Sequence, residues 1–246
     1  MKKPWILLLL LHVLPATAAE LTVSAASSLT EGFREIAGAY GARYPDARVD
    51  LNFAASGVLL QQVARGAPVD VLAFADQTTM DQAAQRGLVD PSTRQMFATN
   101  TLWVVVPPRT SSAPTSLAAL AGPAVGRVTI GNPDSVPAGR YARQALQQAG
   151  LWPSVQAKLI LAQNVRQSLD YVARGEVDAG FVYATDAQAT PDRVRRAFQV
   201  PLSTGISYPL AMVKGSGNAD EARRFIAFVR SPAGQAILQR HGFGSP

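Results

Sequence analysis

The sequence predicts an α/β fold with a largely parallel sheet, on two observations. Short apolar runs typical of strands alternate with segments of helical periodicity along most of the chain, and this alternation is characteristic of α/β proteins. The chain is also 48% hydrophobic and has no cysteine, so a packed core without disulfides must hold it together. Its length fits one large domain or two lobes.

The first part of the chain establishes the alternation. We predict strands over 21–25, 49–53 and 69–75, separated by helices over 29–43 and 57–65. In the first helix, Leu29, Phe33 and Ile36 fall on one face at helical spacing. Ser28 is followed three residues later by Glu31, a pattern that predicts a capping box at the start of this helix.

The middle of the chain repeats the alternation, and the end departs from it. Predicted strands cover 102–106, 127–131, 179–183 and 208–213, and predicted helices cover 138–149, 165–174, 219–229 and 233–240. Gly150 and Gly175 follow the two middle helices, where glycine commonly ends a helix. Ser231 and Pro232 begin the last helix, with serine as its cap and proline in its first turn.

The first residues are typical of a secretory signal peptide, predicted over 1–18. Lys2 and Lys3 precede an apolar run over 5–14, which ends in small residues. The run has about half of the roughly 20 residues that a spanning helix needs. We expect cleavage after Ala18 or Ala19 and an exported, soluble, periplasmic chain. Lipid anchoring is not expected, because it requires a cysteine.

The formal charge of +6 and the pI near 10.0 raise the question of an anionic partner. Loss of Lys2 and Lys3 with the signal would lower the charge to +4. Most of the arginines are scattered singly along predicted helix faces, and Arg193, Arg195 and Arg196 make the one local cluster. A solvated surface explains this pattern, so no nucleic-acid partner is expected. The positive potential would still help to attract an anionic solute.

Four predicted strand-to-helix turns have small or hydroxyl residues where the helix begins. They cover 25–29, 53–57, 132–139 and 162–165. Each leaves backbone N–H groups free at a helix N-terminus, where the macrodipole adds about half a positive charge. Ordinary capping explains any one of these turns, since Ser and Asn are common caps. Several that converge on one cleft would bind an anion without a cationic side chain.

At these turns the chain resembles the periplasmic molybdate-binding proteins of ABC importers. The similarity extends over nearly all of the chain after the predicted signal peptide. It is carried by the segments AASSLT (25–30), FAASG (53–57), GAPVDV (66–71), ADQ (75–77), VPAG (136–139), NVR (164–166) and VY (182–183). Their number, order and spacing make the resemblance specific.

The resemblance implies a two-lobed periplasmic binding protein fold, type II-like, with mixed but mainly parallel sheets and a ligand cleft between the lobes. Residues 19–99 and 206–246 would form lobe I, and residues 100–205 an inserted lobe II. The implied function is that of a non-enzymatic carrier, without a cofactor, that binds molybdate and also tungstate. It would act as a monomer and deliver the anion to the membrane permease of an ABC transporter.

The resemblance also implies which residues bind the ligand. They are Ser28, Ser56, Ala138, Val165 and Tyr183, with Ser27, Gly57 and Gly139 as additional candidates. The serines and the tyrosine would donate from hydroxyl groups, whereas the alanine and the valine offer only backbone N–H groups. Molybdate has four acceptor oxygens and no proton to donate, so a site made of donors suits it. Molybdenum would be bound only as this oxyanion.

Other interpretations stay open at the level of the sequence. The same scaffold could bind sulfate or another small oxyanion. A serine hydrolase that uses Ser28 or Ser56 would need a base, and His241 is the one histidine after the signal. Neither serine lies in a Gly-x-Ser-x-Gly motif, so we expect no catalytic residues. A regulatory sensor would need a preceding DNA-binding module, and clustered ligands for a zinc or iron site are missing. Tyr183 alone could be an ordinary buried strand residue.

Overall fold

The computed structural model describes residues 19–246, so the predicted signal peptide lies outside the described residues. These residues form two five-stranded sheets. We call the part of the molecule built on each sheet a lobe. In the described part of the chain, none of the helices has the length and apolarity that a membrane crossing requires.

The first lobe takes its strands from both ends of the described chain. They are β1 (Ala19–Ala26), β2 (Ala47–Ala54), β3 (Val71–Ala73), β4 (Gln95–Asn100) and β10 (Ile206–Met212). Their order in the sheet is β2-β1-β3-β10-β4, with β10 antiparallel to both of its neighbours and the other pairs parallel. The helices of this lobe are α1 (Thr30–Arg43), α2 (Ser56–Ala64), α3 (Gln77–Gln85), α9 (Ala219–Arg230) and α10 (Pro232–Arg240).

The second lobe is built from the middle of the chain. Its strands are β5 (Leu102–Val106), β6 (Val128–Gly131), β7 (Leu159–Ala162), β8 (Ala179–Tyr183) and β9 (Arg195–Gln199). They are ordered β7-β6-β8-β5-β9, with β6 parallel to β7 and β8, and β5 antiparallel to β8 and β9. The helices are α4 (Leu117–Ala121), α5 (Pro137–Gln148), α6 (Trp152–Gln156), α7 (Val165–Ala173) and α8 (Ala184–Ala189).

Helices cover both faces of the first sheet, which explains why its central strands are apolar at successive positions. In β3, Val71 and Ala73 join the larger core, whereas Leu72 belongs to a second cluster with Leu59 and Met80. Successive strand side chains point to opposite faces, so both faces of β3 are buried. Such strands appear as continuous hydrophobic runs rather than as alternating patterns.

The elements that the sequence pattern missed are of two kinds: β7 and α4 are apolar but only four and five residues long, whereas others lack a strong apolar signal. Strands β4 and β9 are edge strands, and their sequences QMFATN and RRAFQ are largely polar. Helix α3, with the sequence QTTMDQAAQ, buries few apolar side chains. The predicted serine cap of α10 is confirmed, because the Ser231 side chain accepts a hydrogen bond from the Gly234 backbone N–H.

The predicted capping box at Ser28 and Glu31 is wrong. Residues Ser27–Leu29 form a 3₁₀ turn before α1, and no side chain caps either element. The Ser28 hydroxyl instead lies 3.1 Å from the Tyr208 hydroxyl, and Glu31 pairs with Arg166 of the second lobe. Long-range contacts therefore use both side chains that the local pattern assigned to capping.

Candidate functional site

Both sheets place helix N-termini at the carboxyl ends of neighbouring parallel strands. In the first lobe, β1 and β2 lead into the starts of α1 and α2. In the second lobe, β6 and β7 lead into α5 and α7. Ligands of open α/β sheets bind in crevices at this edge, because the helix dipoles and free N–H groups point there.

A small cavity lined by buried residues lies between these helix starts, and both lobes contribute to its wall. Its lining consists of Ala26, Ser27, Ser28, Ala55, Ser56, Ala75, Val136, Pro137, Ala138, Val165 and Tyr183. The cavity volume is about 10 Å³, which is on the order of the space for one water molecule. Within residues 19–246, the lining includes no lysine, arginine or carboxylate side chain.

The structure brings together all five ligand residues that the resemblance implies. Ser28, Ser56, Ala138, Val165 and Tyr183 line the same cavity, although they are far apart in the sequence. Ser27 lines it as well, so the two adjacent serines both remain candidates. The further lining residues were not predicted. They are small or apolar residues of the same turns, together with Ala75 just after β3, and they carry no chemical signal of their own.

The additional candidates Gly57 and Gly139 lie beside the cavity but do not line it. The Gly57 N–H donates to the Ser135 carbonyl oxygen across the two lobes, at 2.9 Å. A Cβ added at Gly57 would lie 2.7 Å from that oxygen. A Cβ at Gly139 would lie 1.8 Å from the carbonyl oxygen of Gly131, at the end of β6. Both glycines therefore permit close backbone contacts, one between the lobes and one within the second lobe.

Ser56, the first residue of α2, is fully buried, and its hydrogen-bonding polarity is fixed. The backbone N–H of Ala75 donates to its hydroxyl oxygen at 3.0 Å. A backbone N–H can only donate, so the Ser56 oxygen accepts here. The hydroxyl hydrogen of Ser56 is thereby left for another acceptor.

Tyr183 places a buried hydroxyl group at the cavity. The side chain is 1% exposed, and its hydroxyl oxygen has no hydrogen-bond partner among the described residues. Burial raises the pKa of Tyr183 well above its ordinary value, so the phenol stays a neutral O–H donor. A buried polar group without a partner costs about 1–3 kcal/mol. Tyr183 therefore presents a buried O–H donor at the cavity that the described fold does not use.

Two helix N-termini of the second lobe supply backbone donors. Val165 is the first residue of α7, and Ala138 is the second residue of α5. Backbone N–H groups at these positions have no carbonyl partner within their own helix. The Asn164 side chain caps α7 by accepting a hydrogen bond from the Gln167 N–H. This cap does not engage the N–H of Val165.

Two arginines near the cavity are neutralised by carboxylates. Arg140 of α5 contacts Asp76 of the first lobe through both Nε and Nη2, at 2.9 Å and 2.6 Å. Arg166 of α7 pairs with Glu31 of the first lobe, and its Nε lies 2.8 Å from Asp186 Oδ1. Burial raises the pKa of Asp186, and the charge of Arg166 opposes this shift. Two ion pairs therefore join the lobes without placing a charge in the cavity.

His241, the histidine considered as a catalytic base, contacts a carboxylate rather than a serine. His241 Nε2 lies 2.7 Å from Glu35 Oε2 at the surface. In residues 19–246, no hydrogen bond links this histidine to Ser28 or Ser56. The same residues contain no group of three or more His, Cys, Asp or Glu side chains that could hold a metal ion.

Curated relatives cover nearly the whole chain. The chain is 35% identical over 235 residues to the molybdate-binding protein ModA of Escherichia coli K12. The aligned residues cover 93% of this chain and 90% of that protein. It is 32% identical over 236 residues to ModA of Haemophilus influenzae, covering 94% and 92% of the two chains. A putative ABC transporter substrate-binding lipoprotein of Bacillus subtilis, YvgL, is 31% identical over 224 residues, covering 91% and 85%.

Solved structures share the same architecture. The periplasmic molybdate-binding protein of Azotobacter vinelandii aligns with a TM-score of 0.82 at 23% identity, covering 92% of this chain and 99% of that one. The substrate-binding domain of a putative molybdenum ABC transporter from Clostridium difficile gives 0.71 at 30% identity, covering 93% and 99%. The sulfate-binding protein SubI of Mycobacterium tuberculosis gives 0.79 at 20% identity, covering 92% and 86%.

These matches confirm the predicted fold class and the resemblance that the turn segments indicated. The fold is a two-lobed α/β fold with one mixed sheet in each lobe. A family model for bacterial extracellular solute-binding proteins matches residues 21–244. The chain therefore belongs to the bacterial extracellular solute-binding protein family.

Proposed function

We propose that this protein captures molybdate outside the cytoplasmic membrane and delivers it to the membrane permease of an ABC importer. The observation that carries the proposal is a buried cavity lined by neutral hydrogen-bond donors from both lobes, with the unpartnered Tyr183 hydroxyl among them. The relatives named for molybdate binding support it. The signal peptide predicted over 1–18 would direct the export, and the mature protein would act as a monomer.

The donor set suits a doubly negative tetrahedral ion. Such an ion loses its hydration on entering the cavity and needs N–H and O–H groups in return. The hydroxyls of Ser28, Ser56 and Tyr183 and the backbone N–H groups of Ala138 and Val165 offer these donors. A carboxylate in the lining would repel the ion, and the lining formed by the described residues contains none.

Closure of the two lobes would couple to binding. We propose that residues 19–99 and 206–246 move as lobe I against residues 100–205 as lobe II. An anion that touches both lobes binds the closed state better than the open state, so it shifts the population towards closure. The permease would then recognise the closed form.

Sulfate is the second candidate, because a sulfate-binding protein shares the fold. Charge alone does not separate sulfate from molybdate or tungstate, since all three are tetrahedral dianions. Molybdate and tungstate have longer bonds to oxygen, so the separation of the cavity walls would select between the two sizes. We therefore expect molybdate and tungstate to bind alike and sulfate to bind more weakly.

Titration calorimetry of residues 19–246 with molybdate, tungstate, sulfate and phosphate tests this function. We expect binding of the first two, with sulfate weaker by at least about tenfold, or roughly 1.4 kcal/mol. Displacement of molybdate by sulfate at a comparable concentration would favour the sulfate carrier. Absence of binding by molybdate and tungstate would refute the proposal. Native mass spectrometry of the protein purified from its own compartment would weigh the bound anion and give the oligomeric state.

A further inference from the structure

A chain of hydrogen bonds leads from the end of β4 to the cavity. The backbone N–H of Thr101 donates to Asn100 Oδ1 at 2.8 Å. The Asn100 amide nitrogen lies 3.2 Å from the Tyr208 hydroxyl oxygen. That hydroxyl lies 3.1 Å from the Ser28 hydroxyl, which lines the cavity. Tyr208 is fully buried on β10 and does not itself line the cavity.

The donor and acceptor roles in this series of hydrogen bonds can be assigned by starting from the backbone N–H of Thr101, which can only donate. A backbone N–H can only donate, so the Asn100 oxygen must face Thr101. The amide nitrogen then faces the other way, and it donates both to Thr185 Oγ1, at 3.0 Å, and to Tyr208. The Tyr208 oxygen accepts from Asn100, and among the described residues its hydroxyl has Ser28 as its one other hydrogen-bond partner. The buried Tyr208 hydrogen is therefore satisfied when it is directed to Ser28.

The donor and acceptor roles in this series of hydrogen bonds determine whether Ser28 donates or accepts at the cavity. Its oxygen accepts from Tyr208, so its own hydrogen is free to point at a ligand. Burial raises the pKa of Tyr208 far above its ordinary value, so the phenol keeps the hydrogen that it donates. Ser56 reaches the same state by a different route, since its oxygen accepts from Ala75 N–H. Both serines are thus oriented as donors before a ligand arrives.

We propose that Asn100 and Tyr208 are positioning residues that force Ser28 to donate its hydroxyl hydrogen to the bound anion. This inference rests on the proposed function and extends it to residues outside the cavity lining. Because the Ser28 and Ser56 hydroxyls are already oriented as donors, the site favours a tetrahedral anion that has no hydrogen of its own. A protonated anion such as hydrogen phosphate needs an acceptor, and the oxygens of Ser28 and Ser56 each accept one hydrogen bond already, which makes them poorer acceptors for it.

A double-mutant cycle on molybdate affinity tests whether Tyr208 orients the Ser28 hydroxyl. We expect Tyr208→Phe to weaken molybdate binding about tenfold, because Ser28 is no longer held as a donor. In a Ser28→Ala background the same change should have almost no further effect, since the hydroxyl that it orients is absent. A merely structural role of Tyr208 would instead give additive losses in the two backgrounds. Unchanged affinity in Tyr208→Phe, or additive losses in the cycle, would overturn the positioning role of Tyr208.

Matched controls separate folding from positioning. Tyr40 is another fully buried tyrosine of the first lobe, and its hydroxyl donates to Glu221 away from the cavity. Tyr40→Phe should reduce thermal stability but leave molybdate affinity unchanged. If Tyr208→Phe does not fold, Asn100→Leu enters the same cycle with Ser28→Ala, and non-additivity is again expected. Failure of the wild-type protein to bind molybdate would refute the proposed function. If the wild-type protein binds molybdate but the two substitutions have additive effects, only the positioning role of Asn100 and Tyr208 is refuted.

Discussion

Arg140 of the second lobe binds Asp76 of the first lobe through two nitrogens of its guanidinium group, with 2.6 Å between Nη2 and Oδ2. The Asp76 side chain is 5% exposed and that of Arg140 is 22% exposed. The same guanidinium group donates to Thr79 Oγ1 at 2.7 Å. These contacts join α5 to the start of α3, so the proposed opening of the lobes would break them.

Removal of this ion pair should make the closed state easier to open. We expect Arg140→Gln to speed molybdate release about fivefold, which corresponds to roughly 1 kcal/mol for a partly exposed pair. Stopped-flow displacement of molybdate would measure the rate. Asp76 is the less suitable target, because its side chain also caps α3 by accepting from the Thr79 N–H.

The same helix offers a control for that substitution. Arg143 pairs at 3.7 Å with Asp134, which belongs to the second lobe and is highly exposed. Arg143→Gln removes the same charge without touching the first lobe, so molybdate release should keep the wild-type rate. Equal acceleration by both variants would assign the effect to net charge and contradict a role of the Arg140–Asp76 ion pair in holding the lobes together.

Ser56→Ala should weaken molybdate binding without unfolding the protein. The change removes a buried donor that faces the ligand, and hydrogen bonds to charged groups contribute about 1.5–3 kcal/mol. Calorimetry should therefore give an affinity lower by at least about tenfold. Ser168 is also a buried serine, but it contacts Thr129 outside the cavity. Ser168→Ala should keep the affinity, and unchanged affinity in Ser56→Ala would remove that residue from the site.

Tyr183→Phe should separate stability from binding. The hydroxyl has no partner in the described structure, so its removal should leave the ligand-free protein equally stable or more stable. Molybdate affinity should fall by about tenfold or more, because a ligand donor is lost. Thermal unfolding without ligand and calorimetry with molybdate would measure the two effects. A large loss of stability would show that the hydroxyl serves the fold.

The affinity of the wild-type protein should resist alkaline pH. An ordinary tyrosine loses its hydrogen near pH 10, at about its unperturbed pKa. Burial raises the pKa of Tyr183 well above that value, so its neutral donor form persists as the pH rises. Molybdate affinity should therefore stay level from about pH 7 to about pH 10. A steady loss across this interval would place the titration of Tyr183 near that of an exposed phenol.

The two glycines beside the cavity should give opposite results. Gly139→Ala would place its Cβ against the Gly131 carbonyl within one lobe, so we expect a stability loss of at least about 2 kcal/mol. Gly57→Ala would clash with Ser135 only across the cleft. It should lower molybdate affinity while the unfolding temperature of the ligand-free protein changes little. Denaturation and calorimetry on both variants test this contrast, which the reverse result would contradict.

The sequence by itself determined the α/β class and the segments that carry the site. Strands such as β5 and β8 are continuous apolar runs, because both faces of such strands are buried. The strand-to-helix turns were visible as small and hydroxyl residues at the points where periodicity changes. These signals are local, and each depends on neighbouring residues within one or two turns of chain.

Only the tertiary structure decided how those turns are used. The sequence pattern treated Ser28 and Glu31 as a helix cap, whereas Tyr208 and Arg166, both more than 130 positions away, engage these side chains instead. Tyr208 carried no signal of a role, since a strand tyrosine is ordinary. The polarity of Ser28, the pairing of Arg140 with Asp76 and the shared cavity all arise from contacts between distant segments. Such contacts form only when sheets and lobes pack, so a pattern of neighbouring residues does not encode them.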